Sequence, residues 1–176
     1  AAVHALAHAM NAALGAVGET VTYIDPLTPS DKLQIEQLRE LVTDIDAKRV
    51  KMLVMIGGNP VYNTPADLKL NYERLKDIFT VHYGMFRDET GDIAEWHIPA
   101  THYLEAWSDA RTFDGSASIV QPLIDPIYQS RSVHEFVQLF AKENYDAKGL
   151  DLVKGYWQQQ NISFAARTAA AVTASA

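Results

Sequence analysis

The run Met52-Leu53-Val54-Met55-Ile56-Gly57 constrains this chain more than any other stretch, because it is apolar without alternation and opens a glycine pair. A strand with no in-out alternation needs cover on both faces, as in a parallel sheet with helices on either side. Gly57 and Gly58 then allow positive φ or a close backbone approach, and Asn59-Pro60 turns the chain off the strand axis. Thr64, Pro65 and Asp67 read as a restart in helix, with Thr64 at the N-cap, Pro65 at the first helical position and Asp67 placed for a capping box. The stretch is therefore expected at the centre of an α/β sheet. The carboxyl end of such a strand is where open α/β sheets hold ligands.

The flanking sequence repeats this grammar. Val3, Leu6, Met10, Leu14 and Val17 recur at helical spacing, which predicts a helix over residues 2–16 that packs closely on a sheet. Val21-Thr22-Tyr23-Ile24 reads as a short strand, and Thr28-Pro29-Ser30-Asp31 as a second Thr-Pro-x-Asp helix start. Leu38, Leu41, Val42 and Ile45 give the next helix its buried side, so a right-handed βαβ crossover leads into the strand at Met52. Beyond the glycine turn, Leu68, Tyr72 and Leu75 line a third helix, and Phe79-Thr80-Val81-His82-Tyr83 is a parallel strand ended by Gly84. Asp88-Glu89-Thr90-Gly91-Asp92 suits a helix start, and Ala94-Glu95-Trp96-His97-Ile98-Pro99 a short strand halted by proline. From Trp107 to Tyr128 turn residues dominate, with Ser118-Ile119-Val120 the one strand-like run, so irregular chain wrapped on the sheet is expected there. Ser132-Val133-His134-Glu135 is a full capping box before Phe136, Val137 and Phe140, and a last helix is expected to hold Leu150, Val153, Tyr156 and Trp157. The fold class read from this order is α/β, with a mainly parallel sheet, an irregular C-terminal wrap and helices. It forms one domain over residues 1–160, and an alanine-rich tail over residues 161–176 is expected to fray.

Composition sets what this domain can do. No apolar run approaches the roughly 18 residues needed to span a bilayer, so direct membrane insertion is not expected. With 15 Lys+Arg against 22 Asp+Glu, the net charge of −7 opposes phosphate backbones, and no basic patch offsets it, so nucleic acid is not an expected partner. The absence of Cys excludes disulfides, thiolate nucleophiles and cysteine-held iron–sulfur clusters within these residues. The start, Ala1-Ala2-Val3-His4, has neither an initiator Met nor a signal-peptide pattern and reads as cut from a longer chain.

Candidate chemistry is sparse. His97, His102 and Glu105 are the most ligand-like set, yet histidines separated by a proline break are not a metal signature, and no metal site is expected. Asp88-Glu89 and Asp92 with Glu95 offer paired carboxylates without a matched nucleophile, a pattern commoner in helix caps. Ser116 and Ser118 lack a Gly-x-Ser-x-Gly context. Gly57-Gly58 belongs to neither of the two standard phosphate fingerprints. Trp96, Tyr103 and Trp107 can form an aromatic wall, although packing is the commoner use of such residues. No catalytic set emerges.

Three separated motifs carry a resemblance. Leu53-Val54-Met55-Ile56-Gly57-Gly58-Asn59-Pro60, Asp88-Glu89-Thr90, and Ala94-Glu95-Trp96-His97-Ile98-Pro99-Ala100 with Glu105 resemble, in that order, the Rossmann-like domain of the molybdopterin oxidoreductases over residues 50–125. In that family a strand ending in Gly-x-Asn-Pro precedes an acidic-Thr loop and an Ala-Asp-x-x-Leu-Pro-Ala segment. The fuller wording, including Ala100-Thr101-His102-Tyr103-Leu104-Glu105-Ala106-Trp107, is similar to the large iron–sulfur subunit of alternative complex III, a bacterial membrane quinol oxidoreductase. Departures from the wider family are Glu95 in place of Asp, and the bulky Trp96-His97 in place of small aliphatic residues.

The resemblance implies a Rossmann-like three-layer domain whose cofactor edge is Gly57, Gly58, Asn59, Pro60, Asp88 and Thr90. It implies a non-catalytic scaffold in an electron-transfer subunit, with no cofactor in these residues and iron–sulfur clusters elsewhere in the parent chain. The implied partners are other domains and subunits of a respiratory complex, at the periplasmic face of the bacterial inner membrane. Two alternatives stand beside it: a domain that binds molybdopterin guanine dinucleotide in a redox enzyme, and an independent small-molecule enzyme using the acidic loop 88–95.

Overall fold

A computed structural model describes residues 2–23, 30, 32–112, 116–141 and 145–160. In chain order they form α1 (Ala2–Ala13), α2 (Gln34–Asp46), β1 (Met52–Ile56), α3 (Pro60–Asn63), α4 (Tyr72–Leu75), β2 (Phe79–Gly84), α5 (Glu89–Ile93), β3 (Trp96–Pro99), β4 (Ser108–Arg111), β5 (Ala117–Val120), α6 (Val133–Gln138) and α7 (Gly149–Gln159). The chain divides into two compact units, Ala1–Asp31 with Arg111–Ala117, and Lys32–Ala110 with Ser118–Ala176.

In the first unit α1 forms where the periodicity predicts it but buries none of its residues. Gly15 at φ 66° and Gly18 at φ 91° carry the turn that follows. The strand expected from Val21 is reduced to one bridge, Val17 to Val21, and the Tyr23 hydroxyl sits 2.7 Å from His8 Nδ1. Ile24 and the cap residues Thr28, Pro29 and Asp31 lie outside the described residues.

The second unit is built on a three-stranded parallel sheet in the order β1-β2-β3, which establishes the mixed α/β class. The sheet register explains its two cores. Leu53 and Met55 of β1 pair with Thr80 and His82 of β2 and share a face with them, while Val54 pairs with Val81 on the opposite face. Leu53 packs into a core made by Val42 and Ile45 of α2 with Leu68, Leu70, Leu75 and Ile78. Val54 packs instead with Val81, Tyr83 and Phe136 of α6. Both faces are therefore covered, as the unbroken apolar run requires.

The centre of the sheet is nevertheless β2 and not β1. From Thr80 to Gly84 every residue of β2 is buried, whereas Met52 and Ile56 at the two ends of β1 are about half exposed, because β1 has a paired neighbour on one side only among the described residues. Phe136 is 1% exposed and stacks on Tyr83 at 4.6 Å between ring centroids; its burial contributes about 3 kcal/mol.

The helix expected from Thr64 starts earlier. Pro60 occupies the first turn of α3, and Thr64 ends that helix, its hydroxyl donating back to the Pro60 carbonyl at 2.5 Å. The chain then turns through Leu68 to α4, a single helical turn capped by Asn71, whose side chain accepts from the Arg74 N–H at 3.2 Å. Thr64 is thus a terminator because proline can enter a helix only at its first turn, and Pro60 provides that entry before Pro65. The capping box at Ser132 forms as expected, and Glu135 also accepts the Gly149 N–H at 3.2 Å, tying α6 to the start of α7. The wrap from Trp107 to Tyr128 is less irregular than expected, since β4 and β5 pair in a two-stranded sheet. No helix among the described residues is long and apolar enough to cross a membrane.

Candidate functional site

The carboxyl ends of β1, β2 and β3 bring together the loops singled out from the sequence. Gly57 continues the sheet by donating its N–H to the Tyr83 carbonyl at 2.7 Å, then turns at φ 66°, as does Gly58. A Cβ at either glycine would meet nothing within 4 Å, so backbone conformation alone demands glycine there. Asn59 leads into Pro60, and its side chain reaches across to α5. Asn59 Oδ1 accepts the Thr90 hydroxyl at 2.7 Å, and Asn59 Nδ2 donates to Glu89 Oε2 at 2.6 Å. The fully buried Thr90 hydroxyl also accepts the Val61 N–H at 3.0 Å.

Asp88 caps α5, its Oδ1 accepting the N–H groups of Thr90 at 3.1 Å and Gly91 at 3.0 Å, a cap worth about 1 kcal/mol. Three of the six residues named as a cofactor edge, Asn59, Asp88 and Thr90, therefore meet in one cluster with Glu89, while Gly57 and Gly58 form the turn leading into it and Pro60 starts the short helix beside it. The Asn59 amide, the Thr90 hydroxyl and Glu89 Oε2 are directed at one another, and Asp88 at the backbone of α5.

Beneath it lies a histidine pair that sequence reasoning missed. His82 is fully buried, and the register of β2 and β3 sets it beside His97, with 3.2 Å between the two Nδ1 atoms. His82 Nε2 lies 3.2 Å from the Gly58 carbonyl, and its Nδ1 lies 3.9 Å from Asp88 Oδ1. Two glycines make room for the rings. A Cβ on Gly84 would stand 2.7 Å from His82 Cε1, and one on Gly91 would stand 3.0 Å from His97 Nδ1. Burial first, and the neighbouring His82 ring second, hold the His97 imidazole below its ordinary value, with Asp88 opposing them. The readable signal was the coincidence of a histidine in an apolar strand with glycines at Gly84 and Gly91.

The other candidates separate. Glu105 is occupied by the backbone, accepting the N–H groups of His102 at 2.8 Å and Ile127 at 3.1 Å, which lower its carboxyl below the ordinary range. With His97 turned to His82, the set His97, His102 and Glu105 does not converge, and no group of three or more metal-ligand side chains is present among the described residues. Asp92 pairs with Arg87 at 3.0 Å, apart from the Asp88 cap and the Glu89–Asn59 contact. Of the aromatic residues, Tyr103 and Trp107 line a crevice, and Trp96 is exposed on β3. Ser116 lies just before β5 and Ser118 is its second residue, and neither lines that crevice.

The crevice opens beside the cluster, holds about 290 Å³, and is floored by Gly57 and Gly84 at the ends of β1 and β2. Its walls carry Ser108, His102 and His134, none of which stood out as a set in the sequence. A larger hollow of about 590 Å³ lies at the opposite, amino end of β1 and β2, where Arg74 and Asp46 pair at 2.8 Å. No protein-family model matches the chain, and no curated protein matches it.

Proposed function

We propose that this chain is a Rossmann-like scaffold domain of an iron–sulfur electron-transfer subunit, similar to the molybdopterin-oxidoreductase-like part of alternative complex III. The observation that carries the reading is the closure of the Asn59–Thr90–Glu89 cluster. In the cofactor-binding alternative these loop groups turn outward to a pterin dinucleotide; here the Asn59 amide and the Thr90 hydroxyl serve as internal ties between the β1 turn and α5. A domain retained for shape keeps such ties, with His97 turned inward against the buried His82.

Surface character supports a role inside an assembly. Leu123, Ile127 and Tyr128 are each more than 70% exposed along one loop, with Ile124 half exposed beside them. Contiguous exposed apolar side chains of this kind mark interaction surfaces. On this reading the domain docks to neighbouring subunits of a respiratory quinol oxidoreductase at the periplasmic face of the membrane. Cysteine-held clusters then belong to other parts of the parent chain, since these 176 residues contain no Cys.

Calorimetric titration of the purified chain with guanosine monophosphate, then with extracted molybdopterin guanine dinucleotide, tests the proposal. The scaffold reading expects no saturable heat. Saturable binding that disappears in Asn59→Asp, with the circular dichroism spectrum unchanged, overturns it in favour of the dinucleotide-binding alternative.

A further inference from the structure

The crevice at the strand ends contains a hydrogen-bonded nucleophile and base that the scaffold reading leaves unused. Ser108 opens β4, and its Oγ lies 3.0 Å from Nε2 of His134 on α6. Both side chains are half-buried and both line the 290 Å³ hollow. A serine hydroxyl becomes a nucleophile when a neutral imidazole stands within hydrogen-bond reach to take its proton. Asp109, the next residue, places Oδ1 3.9 Å from His134 Nε2. That carboxylate is held in place from the other side, its Oδ2 accepting the Trp157 Nε1–H at 3.0 Å.

The same hollow contains a donor for developing negative charge. His102 Nδ1 accepts the Leu104 N–H at 3.3 Å, so a neutral His102 carries its proton on Nε2. Its ring lies against Tyr103, 4.1 Å between centroids, which fixes its orientation at the crevice wall. The rest of the lining is largely apolar, with Ile56, Tyr83, Met85 and Val133 among it. The site thus combines a nucleophile, a base, a neutral donor and an apolar hollow at the carboxyl edge of a parallel sheet.

We propose that this crevice is an acyl-transfer site for small, uncharged carboxylic esters, with Ser108 as nucleophile and His134 as general base. Ser108 Oγ forms a bond to the ester carbonyl carbon while its proton passes to His134 Nε2. The carbonyl oxygen, now an oxyanion, accepts from His102 Nε2–H. The carbon–oxygen bond to the alcohol then breaks, and the alcohol leaves with the proton held on His134. Water, deprotonated by His134, attacks the acyl-serine; the carboxylic acid departs and Ser108 recovers its proton. The volume restricts the substrate to a short acyl group with a small alcohol, and the apolar lining disfavours a charged one.

Incubation of the intact 176-residue chain with diisopropyl fluorophosphate, followed by peptide mass spectrometry, tests the assignment. The expected result is a diisopropylphosphoryl adduct on Ser108, fluoride being displaced, formed about 100-fold more slowly in His134→Gln, with p-nitrophenyl acetate turnover lost in Ser108→Ala. Absence of an adduct on Ser108 of the folded wild-type chain, under conditions that fully label a serine hydrolase, overturns it. So does an adduct that forms equally fast in His134→Gln. The wild-type result stands without any variant, so a misfolded variant leaves the test intact.

Discussion

Two hydrogen-bonded groups stand at the carboxyl ends of the same three strands, and they differ in what they leave over. In the first, Asn59, Thr90, Glu89 and Asp88 answer one another and the backbone of α5. In the second, Ser108 and His134 are joined to each other while His102 keeps a ring N–H directed at no described partner, and all three border an empty-sided hollow. The first arrangement gains stability from every polar atom it uses and has little to offer a ligand. The second gains little from its polar atoms and retains them for chemistry. Motif reading is drawn to the first, because glycines, prolines and caps are what a sequence displays.

The sharpest way to break the comparison lies at Gly84, between the crevice and the histidine pair beneath the first group: it lines the crevice, and a Cβ would press on the buried His82 ring from 2.7 Å. Gly84→Ala is expected to cost about 3 kcal/mol in urea unfolding, since both β2 and the ring are fixed by their surroundings. Next comes Thr90→Val, which keeps the shape, removes the tie to Asn59 and strands the Val61 N–H; about 2 kcal/mol is expected from the same measurement. Ser108→Ala sharpens the contrast from the other side. Its expected cost is about 0.5 kcal/mol, well below that of Thr90→Val, although each variant deletes one hydroxyl. Equal costs for the two would erase the distinction between a structural and a reserved polar group.

The smallest effect is in pH. Because His97 is held below its ordinary 6.5, the unfolded chain binds more protons than the folded chain between the lowered value and 6.5. Stability therefore rises with pH across that window and is level above it with respect to this group. His97→Gln is expected to flatten this part of the profile measured by chemical unfolding at a series of pH values. At the alkaline end Tyr83, pushed up to about 12 by burial, acts in the opposite sense: stability falls between about 10 and about 12, where only the unfolded chain loses the proton.

Much of the scaffold is legible in the residues because its determinants are local. Asp88 and Ser132 cap helices through atoms two or three residues away, and Phe79–Gly84 is a β-branched and aromatic run ended by a glycine. Pairing is where sequence reading fails. Whether Met52–Ile56 sits at the centre or edge of a sheet depends on strands elsewhere in the chain, and its unbroken apolar pattern looks the same in either place. Thr64 shows a different failure: a Thr-Pro pair suits the start of a helix, but Pro60 had already begun one whose first carbonyl the threonine satisfies. His82 and His97 are separated by fifteen positions and meet only through strand register. The crevice is further still from legible, since Gly57, Gly84, His102, Ser108 and His134 belong to five different stretches.

The three tryptophans occupy three depths of this architecture. Trp96 is exposed on β3, Trp107 is half-buried in the crevice wall, and Trp157 is buried with its N–H on Asp109. The chain thereby contains its own optical readout. Trp157 emits from an apolar setting and shifts to the red when α7 comes away, Trp96 is open to aqueous quenchers throughout, and Trp107 changes intensity when something enters the hollow. Replacing Trp96 and Trp157 with Phe leaves a single indole beside Ser108 and His134, so that filling of the crevice can be followed by light alone.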